Sequence, residues 1–228
     1  MNISEMHTAF RTIGQQMGMQ LIRGILPESI DTYLNSAINE KVRSVVIMNA
    51  STVFRDRVAI QDNSISPINS IRTLVTKGSL PIGSIVTDDE YYSIDVSGIN
   101  NVMYYTSFRV KYVNDKKRRG TRFIENDKLD DTRSDYCNRE SWDYPVVTMN
   151  VDVSNKEIVD LYIGETTKTP EKLELGYIKN PKIVKYSANS GSAVSCDLPV
   201  YLHDEIVQMA VEKFFKSIGA TTKPVTRN

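Results

Sequence analysis

The sequence lacks the residues and motifs that mark several large protein classes. Its two cysteines, Cys137 and Cys196, lie almost sixty residues apart and in no paired motif. This pattern predicts neither a disulfide framework nor a zinc site, and it fits a reducing cytosol. The 28 basic and 28 acidic side chains cancel, so no overall charge attracts nucleic acid or an anionic membrane. Any such binding must be local.

Targeting segments are also missing. The first residues have neither the basic start nor the continuous apolar stretch of a signal peptide, and no long uninterrupted run of apolar residues follows them. We therefore expect a protein that is made and kept in a cytosol and has no membrane partner.

Motifs of catalysis and cofactor binding are absent as well. The chain contains no GxGxxG, GxxxxGK[ST] or GxSxG sequence. His7 and His203 belong to no HExxH-like pair and lie far from both cysteines, which favours surface or helix-end positions. We predict no enzyme, no catalytic residue, no metal and no cofactor. The enzymatic alternative is a hydrolase built from the acids between Asp127 and Asp135, with His203 supplied by folding.

Acidic residues are clustered in two places without forming a metal motif. One cluster is Asp88–Asp89–Glu90, and the other runs from Glu125 to Asp135. Lys128 and Arg133 interrupt the second cluster where a calcium loop needs alternating ligands, a central glycine and a closing glutamate. A solvated or interface-pairing loop is the favoured interpretation.

Hydrophobic periodicity predicts helices at the start of the chain. The 228 residues, 40% apolar and 25% charged, suffice for a buried core. Apolar residues recur at steps of three and four from Ile3 to Leu21, and again from Ile30 to about Met48. Pro27 suits a position just inside a helix start. Because the break between the two segments is short, we predict an antiparallel helical hairpin.

The middle of the chain changes to a β pattern. Ile68 to Val75 predicts a short helix, and Gly78, Pro81 and Gly83 predict a loop. Further on, residues alternate with a period of two and are rich in β-branched and aromatic types. The predicted strands, which would form a small and mostly antiparallel sheet, are Tyr91–Asp95, Val102–Tyr112, Val146–Val153, Ile158–Ile163, Glu174–Ile178 and Lys182–Tyr186.

A closing helix completes the predicted α+β fold. Apolar residues at helical spacing run from Leu202 to Ile218, Asp197 with Pro199 marks the start, and Gly219 marks the stop. We expect this helix to pack back on the first helices. The predicted domains are a helical domain of residues 1–89 and 197–219, a β-rich domain of residues 90–196 with a long loop, and a flexible tail of residues 220–228.

Two segments of the β region are candidate interaction sites. The basic loop formed by Lys116, Lys117, Arg118 and Arg119 follows a strand, which predicts a hairpin cap whose cations repel one another into water. The alternative is a phosphate-facing role, such as lining a channel for nucleic acid. The loop from Asp127 to Pro145 carries Trp142 and Tyr144 and is either a core plug or a subunit interface.

The helical stripes supply further candidates for contacts between subunits. These are Phe10, Met17, Phe214 and Phe215, with Met6 and Met19 as adaptable packing residues. Each is equally compatible with an ordinary core.

Four stretches of the chain are distinctive: MHTAFRTIGQQMGM near the start, SPINSIRTLVTKG in the middle, CNRESWDYPVVT in the long loop, and LGYIKNPKIVKY followed by CDLPVYLHDEIVQMAVEKFF at the end. They resemble head–tail ring proteins of crAss-like podovirus phages and span most of the chain. The last stretch is the most specific, because a Tyr-Ile-Lys-x-Pro strand leads through a Leu-Pro dipeptide into an acidic-to-apolar helix.

The resemblance implies a virion protein that is assembled in the host cytoplasm and has no catalytic site. Its expected place is a homo-oligomeric ring, twelvefold as a dodecamer, beneath the portal in the neck or tail. Such a connector or adaptor contacts the portal protein and other tail or ring proteins, and genomic DNA passes transiently through its axial channel. The alternative function, from another class, is a nucleic-acid-binding accessory module that uses Lys116 to Arg119 with Tyr104, Tyr105 or Tyr112.

Overall fold

The protein is described by a computed structural model that covers residues 1–18, 22, 24–55, 70–83, 91–164, 167–188 and 191–219. The described residues form four α-helices and eight β-strands. The chain divides into two compact units, one of residues 1–74 and 181–228 and the other of residues 75–180. Both boundaries differ from the predicted positions near residues 89 and 196. The predicted tail, residues 220–228, lies outside the described residues.

The helices are α1 (Ile3–Gln16), α2 (Pro27–Arg55), α3 (Leu129–Ser134) and α4 (His203–Ser217). At the start of α1, the Glu5 N–H donates to the Asn2 side chain and the Asn2 N–H donates to the Glu5 side chain, both at 2.8 Å. This capping box fixes the first turn. The helix ends before Gly18, which has φ +93°, and so is shorter than predicted.

The predicted long helical hairpin is not confirmed. α1 has 14 residues, and α4 packs against both α1 and α2, whereas α1 and α2 contact each other little. α2 begins at Pro27 as predicted and continues past Met48 to Arg55, because no proline or glycine interrupts it. None of the helices in the described ranges combines the length and apolar character needed to cross a membrane.

The strands are β1 (Val75–Pro81), β2 (Tyr91–Asp95), β3 (Val102–Tyr112), β4 (Arg118–Gly120), β5 (Arg122–Phe123), β6 (Val146–Val151), β7 (Glu157–Tyr162) and β8 (Pro170–Lys179). They form two four-stranded sheets instead of the single sheet predicted. The strand orders are β1-β8-β3-β4 and β2-β7-β6-β5. All pairs are antiparallel except β5 with β6.

The two sheets share one hydrophobic core. Alternate residues of β3, such as Phe108, Val110 and Tyr112, point to it, as do Leu173 and Leu175 of β8. The other sheet contributes inward residues from each of its longer strands, namely Ile94, Val147, Val159 and Leu161. The period of two in the sequence therefore identifies the buried face of the second half of β3, whereas consecutive residues are buried in β6 and β7.

Two sequence predictions are wrong in this part of the fold. Val75–Pro81 is strand β1, not the end of a helix followed by a loop, and it pairs along its whole length with β8. Lys182–Tyr186 is not a strand, since only Lys185 forms an isolated bridge, to Val194. The start of the helix predicted at Ile68 lies outside the described residues.

Candidate functional site

The loop between β5 and β6 carries Trp142, the only tryptophan of the chain. Its half-buried ring lies edge-on to Tyr112, with centroids 6.4 Å apart and planes at 80°. The Tyr112 hydroxyl donates a 2.8 Å hydrogen bond to the Trp142 carbonyl oxygen. The Arg119 guanidinium and the Lys168 amine lie 5.1 and 3.3 Å from the indole centroid. Trp142 is thus held by its own unit, through one aromatic and two cation–π contacts.

The same loop is fixed at a second point. Arg133 of α3 forms a 3.1 Å ion pair with Glu140, and its guanidinium lies 5.4 Å from the ring centroid of Tyr162 in β7. Gly164, at φ +63°, approaches so closely that an added Cβ would lie 2.9 Å from the Glu140 carbonyl oxygen. The long loop is therefore a packed segment with its own short helix.

Other aromatic rings of this loop remain accessible. Tyr144, a predicted contact residue, is 65% exposed, and Tyr136 is 82% exposed. The Arg139 guanidinium lies 5.4 Å from the Tyr136 ring centroid. These tyrosines leave apolar surface available to a partner, as aromatic residues at protein interfaces do.

The basic loop, Lys116 to Arg119, is less uniformly charged than the sequence suggests. Arg118 forms a 2.6 Å ion pair with Glu174, and Arg119 forms a 2.5 Å ion pair with Asp143. The Lys117 N–H donates to Asp115 at 2.9 Å, which with the nearby Arg119 charge holds the pKa of Asp115 below its usual range. Two of the four cations are therefore neutralised locally, contrary to the prediction of four charges that repel one another into water.

Lys116 and Lys117 differ from the two arginines. Both lie in the exposed turn between β3 and β4, where Asn114 adopts φ +61° as asparagine readily does in turns. Within the described part of the chain, neither amine forms an ion pair. They are the two members of the predicted loop that remain available to an anion.

The predicted contact residues of the helical unit are mostly internal. Phe10 is fully buried and Phe215 is 4% exposed, and the half-buried Phe214 ring has its centroid 6.0 Å from that of Phe10 and 5.4 Å from that of Tyr33. Met17 is half-buried at the end of α1. Phe10 and Phe215 thus pack inside this unit, so their exposed surface is too small for a large contact with another subunit. The side chain of Met6 is also fully buried, and Met19 lies outside the described residues.

Both histidines are buried, so the predicted surface positions are wrong. His203 does lie at a helix end, as the first residue of α4, whereas His7 lies inside α1. His7 Nε2 donates to Asp31 Oδ1 at 2.8 Å, and its ring stacks on Tyr186 with centroids 4.8 Å apart. Asp31 Oδ2 accepts a hydrogen bond from the Tyr186 N–H at 2.9 Å. His203 Nε2 donates to the Leu198 carbonyl oxygen at 2.9 Å. Sequence reasoning missed the role of His7 because its partner Asp31 is 24 residues away in the chain. The available signal was the position of His7 on the apolar stripe of α1, one residue from Met6.

In the acidic segment from Glu125 to Asp135, carboxylates form local ion pairs and hydrogen bonds. Lys128 pairs with Glu125 at 2.9 Å. The Asn138 amide and the Cys137 N–H donate to Asp135 at 2.5 and 2.9 Å, which lowers the pKa of this carboxyl. In the described ranges, no three His, Cys, Asp or Glu side chains are arranged to hold a metal ion. The cluster Asp88–Asp89–Glu90 lies outside those ranges.

A groove of about 720 Å³ lies beside the first half of β3. β4 pairs only with Arg109–Lys111, so among the described residues no strand pairs with Val102–Ser107 on that side. The backbone N–H and C=O groups of this half are therefore an open sheet edge, which a further strand can extend.

The wall of this groove is aromatic. Phe123 is 57% exposed and stacks on Phe108, with centroids 6.4 Å apart, and Tyr105 stacks on the same ring at 5.6 Å. The Tyr105 hydroxyl donates to Glu157 at 3.3 Å. Burial and the neighbouring Glu157 charge raise the pKa of Tyr105 to about 12. The groove thus combines an open strand edge with exposed aromatic surface, and no sequence motif marks it.

No protein-family model matches the chain, and no curated protein matches it significantly.

Proposed function

We propose that this chain is a structural virion protein that forms a ring at the head–tail junction of a phage, where it connects portal and tail around an axial channel for DNA. The support from sequence is the resemblance of four stretches to head–tail ring proteins, in a chain with helical and β-rich parts. The ring is proposed as a dodecamer in the neck or tail, with the portal protein and other tail or ring proteins as neighbours.

The observation that carries this proposal is the groove beside β3. A ring needs one heterologous contact that is repeated until the rotation closes, and the open edge of Val102–Ser107 with the exposed Phe123 ring offers one half of such a contact. An extended segment of a neighbouring copy would form main-chain hydrogen bonds to the edge and cover the aromatic wall. The exposed rings of Tyr136 and Tyr144 would enlarge the contact.

The test is the oligomeric state of the purified chain. We expect rings in negative-stain electron micrographs and a multiple of the monomer mass by light scattering. Phe123→Asp places a charge in the groove, so this variant should yield monomers or open fragments at protein concentrations where the wild type forms rings. Val153→Asp is the matched control, because Val153 is a fully exposed turn residue and its replacement should leave rings intact.

Two results would contradict the proposal in different ways. Monomeric wild-type protein at every concentration, together with its absence from mature particles, would reject the ring. Rings that persist in Phe123→Asp would place the subunit contact elsewhere. Nucleic-acid binding by a stable monomer would favour the accessory-module alternative, for which Lys116 and Lys117 are the available cations.

A further inference from the structure

The outer face of the sheet β1-β8-β3-β4 concentrates positive charge that the neutral composition conceals. Because side chains alternate along a strand, the residues between the buried ones point away from the core. On this face they include one cation from β1, two from β3, one from β4 and one from β8: Lys77, Arg109, Lys111, Arg118 and Lys172. The carboxylates among them are Glu171 and Glu174, which leaves an excess of three positive charges.

The strand register brings these cations around a shallow groove of about 440 Å³. Gly176 of β8 lies between Lys77 of β1 and Ser107 of β3 in the strand pairing. A Cβ added at Gly176 would lie 2.6 Å from the Ser107 hydroxyl oxygen. At Gly176 the floor of the groove is therefore backbone, flanked by the Ser79 and Ser107 hydroxyls, and the Glu174 carboxylate, which pairs with Arg118, also lines the groove.

The cations of this face differ in availability. Glu171 accepts from Lys111 at 2.7 Å and lies 3.6 Å from Lys172, and Glu174 pairs with Arg118 at 2.6 Å. Lys77 and Arg109 are exposed and form no ion pair with any described residue. These two line the groove from opposite sides of β8 and are free to bind an anion.

We propose that this face binds the phosphate backbone of duplex DNA. Phosphodiester oxygens fit a groove with two hydroxyl donors and two cations that pair with no described residue, because such contacts need charge and donors but no base recognition. None of the residues described as lining the groove is aromatic, so neither base stacking nor insertion into a membrane is supported. Lys116 and Lys117, in the turn that follows β3, extend the positive surface beyond Lys111 and Arg118.

The strength of DNA binding in the virion rests on the proposed ring. A single neutral chain with a few phosphate contacts binds DNA weakly, whereas a ring that repeats the face presents many linked sites and gains avidity. The phosphate contacts themselves require only the geometry of one chain.

The experiment measures binding of a fluorescently labelled 30-base-pair duplex of mixed sequence by anisotropy over a range of salt concentrations. The double variant Lys77→Gln with Arg109→Gln should make the fall of log affinity with log salt less steep, by about 1.8, because each lost phosphate contact accounts for about 0.9 of the slope. Both side chains are exposed, so the fold should persist. Lys128→Gln with Lys156→Gln is the matched control, since it removes the same charge from exposed positions of the same unit and should leave the slope unchanged.

The outcomes separate this inference from the proposed function. An equal loss of slope in both double variants, or no loss in either, would overturn the DNA-binding face even if rings form. A loss confined to Lys77→Gln with Arg109→Gln in a protein that forms no rings would support the face and reject the ring. Binding of phosphatidylserine vesicles without binding of the duplex would also overturn the inference.

Discussion

Tyr112 shows how one side chain fixes a loop that is distant in sequence. Its ring is fully buried at the end of β3, and its hydroxyl donates to the Trp142 carbonyl oxygen at 2.8 Å. Burial raises the pKa of this phenol well above its ordinary value of 10.0, so the hydroxyl keeps its proton and remains a donor at physiological pH.

Tyr112→Phe removes the hydroxyl donor, so the Trp142 carbonyl oxygen loses this hydrogen bond. We expect the free energy of unfolding to fall by about 1 kcal/mol, measured by urea denaturation. Trp142 is the only tryptophan, so its fluorescence reports the packing of the loop directly. Tyr144→Phe is the control, because Tyr144 is 65% exposed and its change should alter stability little. Equal effects of the two substitutions would show that the hydroxyl of Tyr112 does not anchor the loop.

His7 and Asp31 form a buried polar pair that the sequence does not reveal. The imidazole looks like an isolated polar group in the sequence, yet it is 5% exposed and pairs with a carboxylate 24 residues away. A buried polar pair is tolerated where each member is hydrogen-bonded, and Asp31 meets this requirement with its second oxygen on the Tyr186 N–H.

At the scale of elements, residues 181–188 run along α2 without forming a strand. Asn35 holds this segment with two hydrogen bonds, since its amide nitrogen donates to the Val184 carbonyl oxygen at 3.0 Å and its oxygen accepts from the Val184 N–H at 2.8 Å. Asp31, one turn earlier on α2, accepts from Tyr186. Side chains of a helix thus provide the partners that a neighbouring strand would otherwise supply.

Asn35→Ala should release this segment from α2. We expect a loss of about 1–2 kcal/mol in unfolding free energy and faster hydrogen exchange at the Val184 amide, which loses its acceptor. Asn39→Ala is the matched control, because Asn39 lies one turn further along α2 and is exposed. Unchanged exchange at Val184 in Asn35→Ala would contradict this role.

At the scale of the whole molecule, the pKa shifts set the pH range of stability. Six carboxyl groups have pKa values lowered chiefly by hydrogen bonds from neighbouring donors, namely Glu40, Asp95, Asp115, Asp135, Asp152 and Glu171. Their contribution is complete above the unfolded values of 3.8 to 4.5 and is lost as the pH falls through the lower folded values. Tyr105 acts in the opposite sense, because its pKa is raised from 10.0 to about 12.

We therefore expect the unfolding free energy to be highest between about pH 5 and pH 9. It should fall on acidification below the unfolded carboxyl values, and again on alkalinisation as the contribution of Tyr105 is lost between pH 10.0 and about 12. Urea denaturation at a series of pH values measures the first change, and ultraviolet absorbance of tyrosinate follows the second. Greater stability at pH 3 than at pH 7 would contradict the assignment of the carboxylates.

How much of the fold was predictable depended on the range of the interaction. Gly219, predicted as a helix stop, adopts φ +69°, and Asn155, in the turn between β6 and β7, adopts φ +59°. Both conformations follow from the local backbone freedom of these residues. The strand at Val102–Tyr112 was predicted at its full length because its alternation is long. Val75–Pro81 was not, because its pairing with β8 overrides the weak strand propensity of glycine and proline.

The candidate surfaces also differ in whether neighbouring residues or distant strand pairing creates them. Lys116 and Lys117 were identified from the sequence because four consecutive cations are visible in it, and the exposure of Tyr144 suits the interface interpretation of its loop. The open edge of β3 and the excess charge on the outer sheet face were not predictable. Lys77, Arg109 and Lys172 are far apart in the chain, and only strand pairing places them on one face.

The sequence by itself determined the helical start and end of the chain, the β-rich middle, most of the strands and several turns, because periodicity and backbone preference act between near neighbours. The tertiary structure decided that the strands form two sheets and that both histidines are buried. It also decided that Arg118 and Arg119 are paired, while Lys77 and Arg109 form ion pairs with none of the described residues. These features depend on which distant segments meet, and the free energy that selects those contacts comes from packing and charge pairing across the fold.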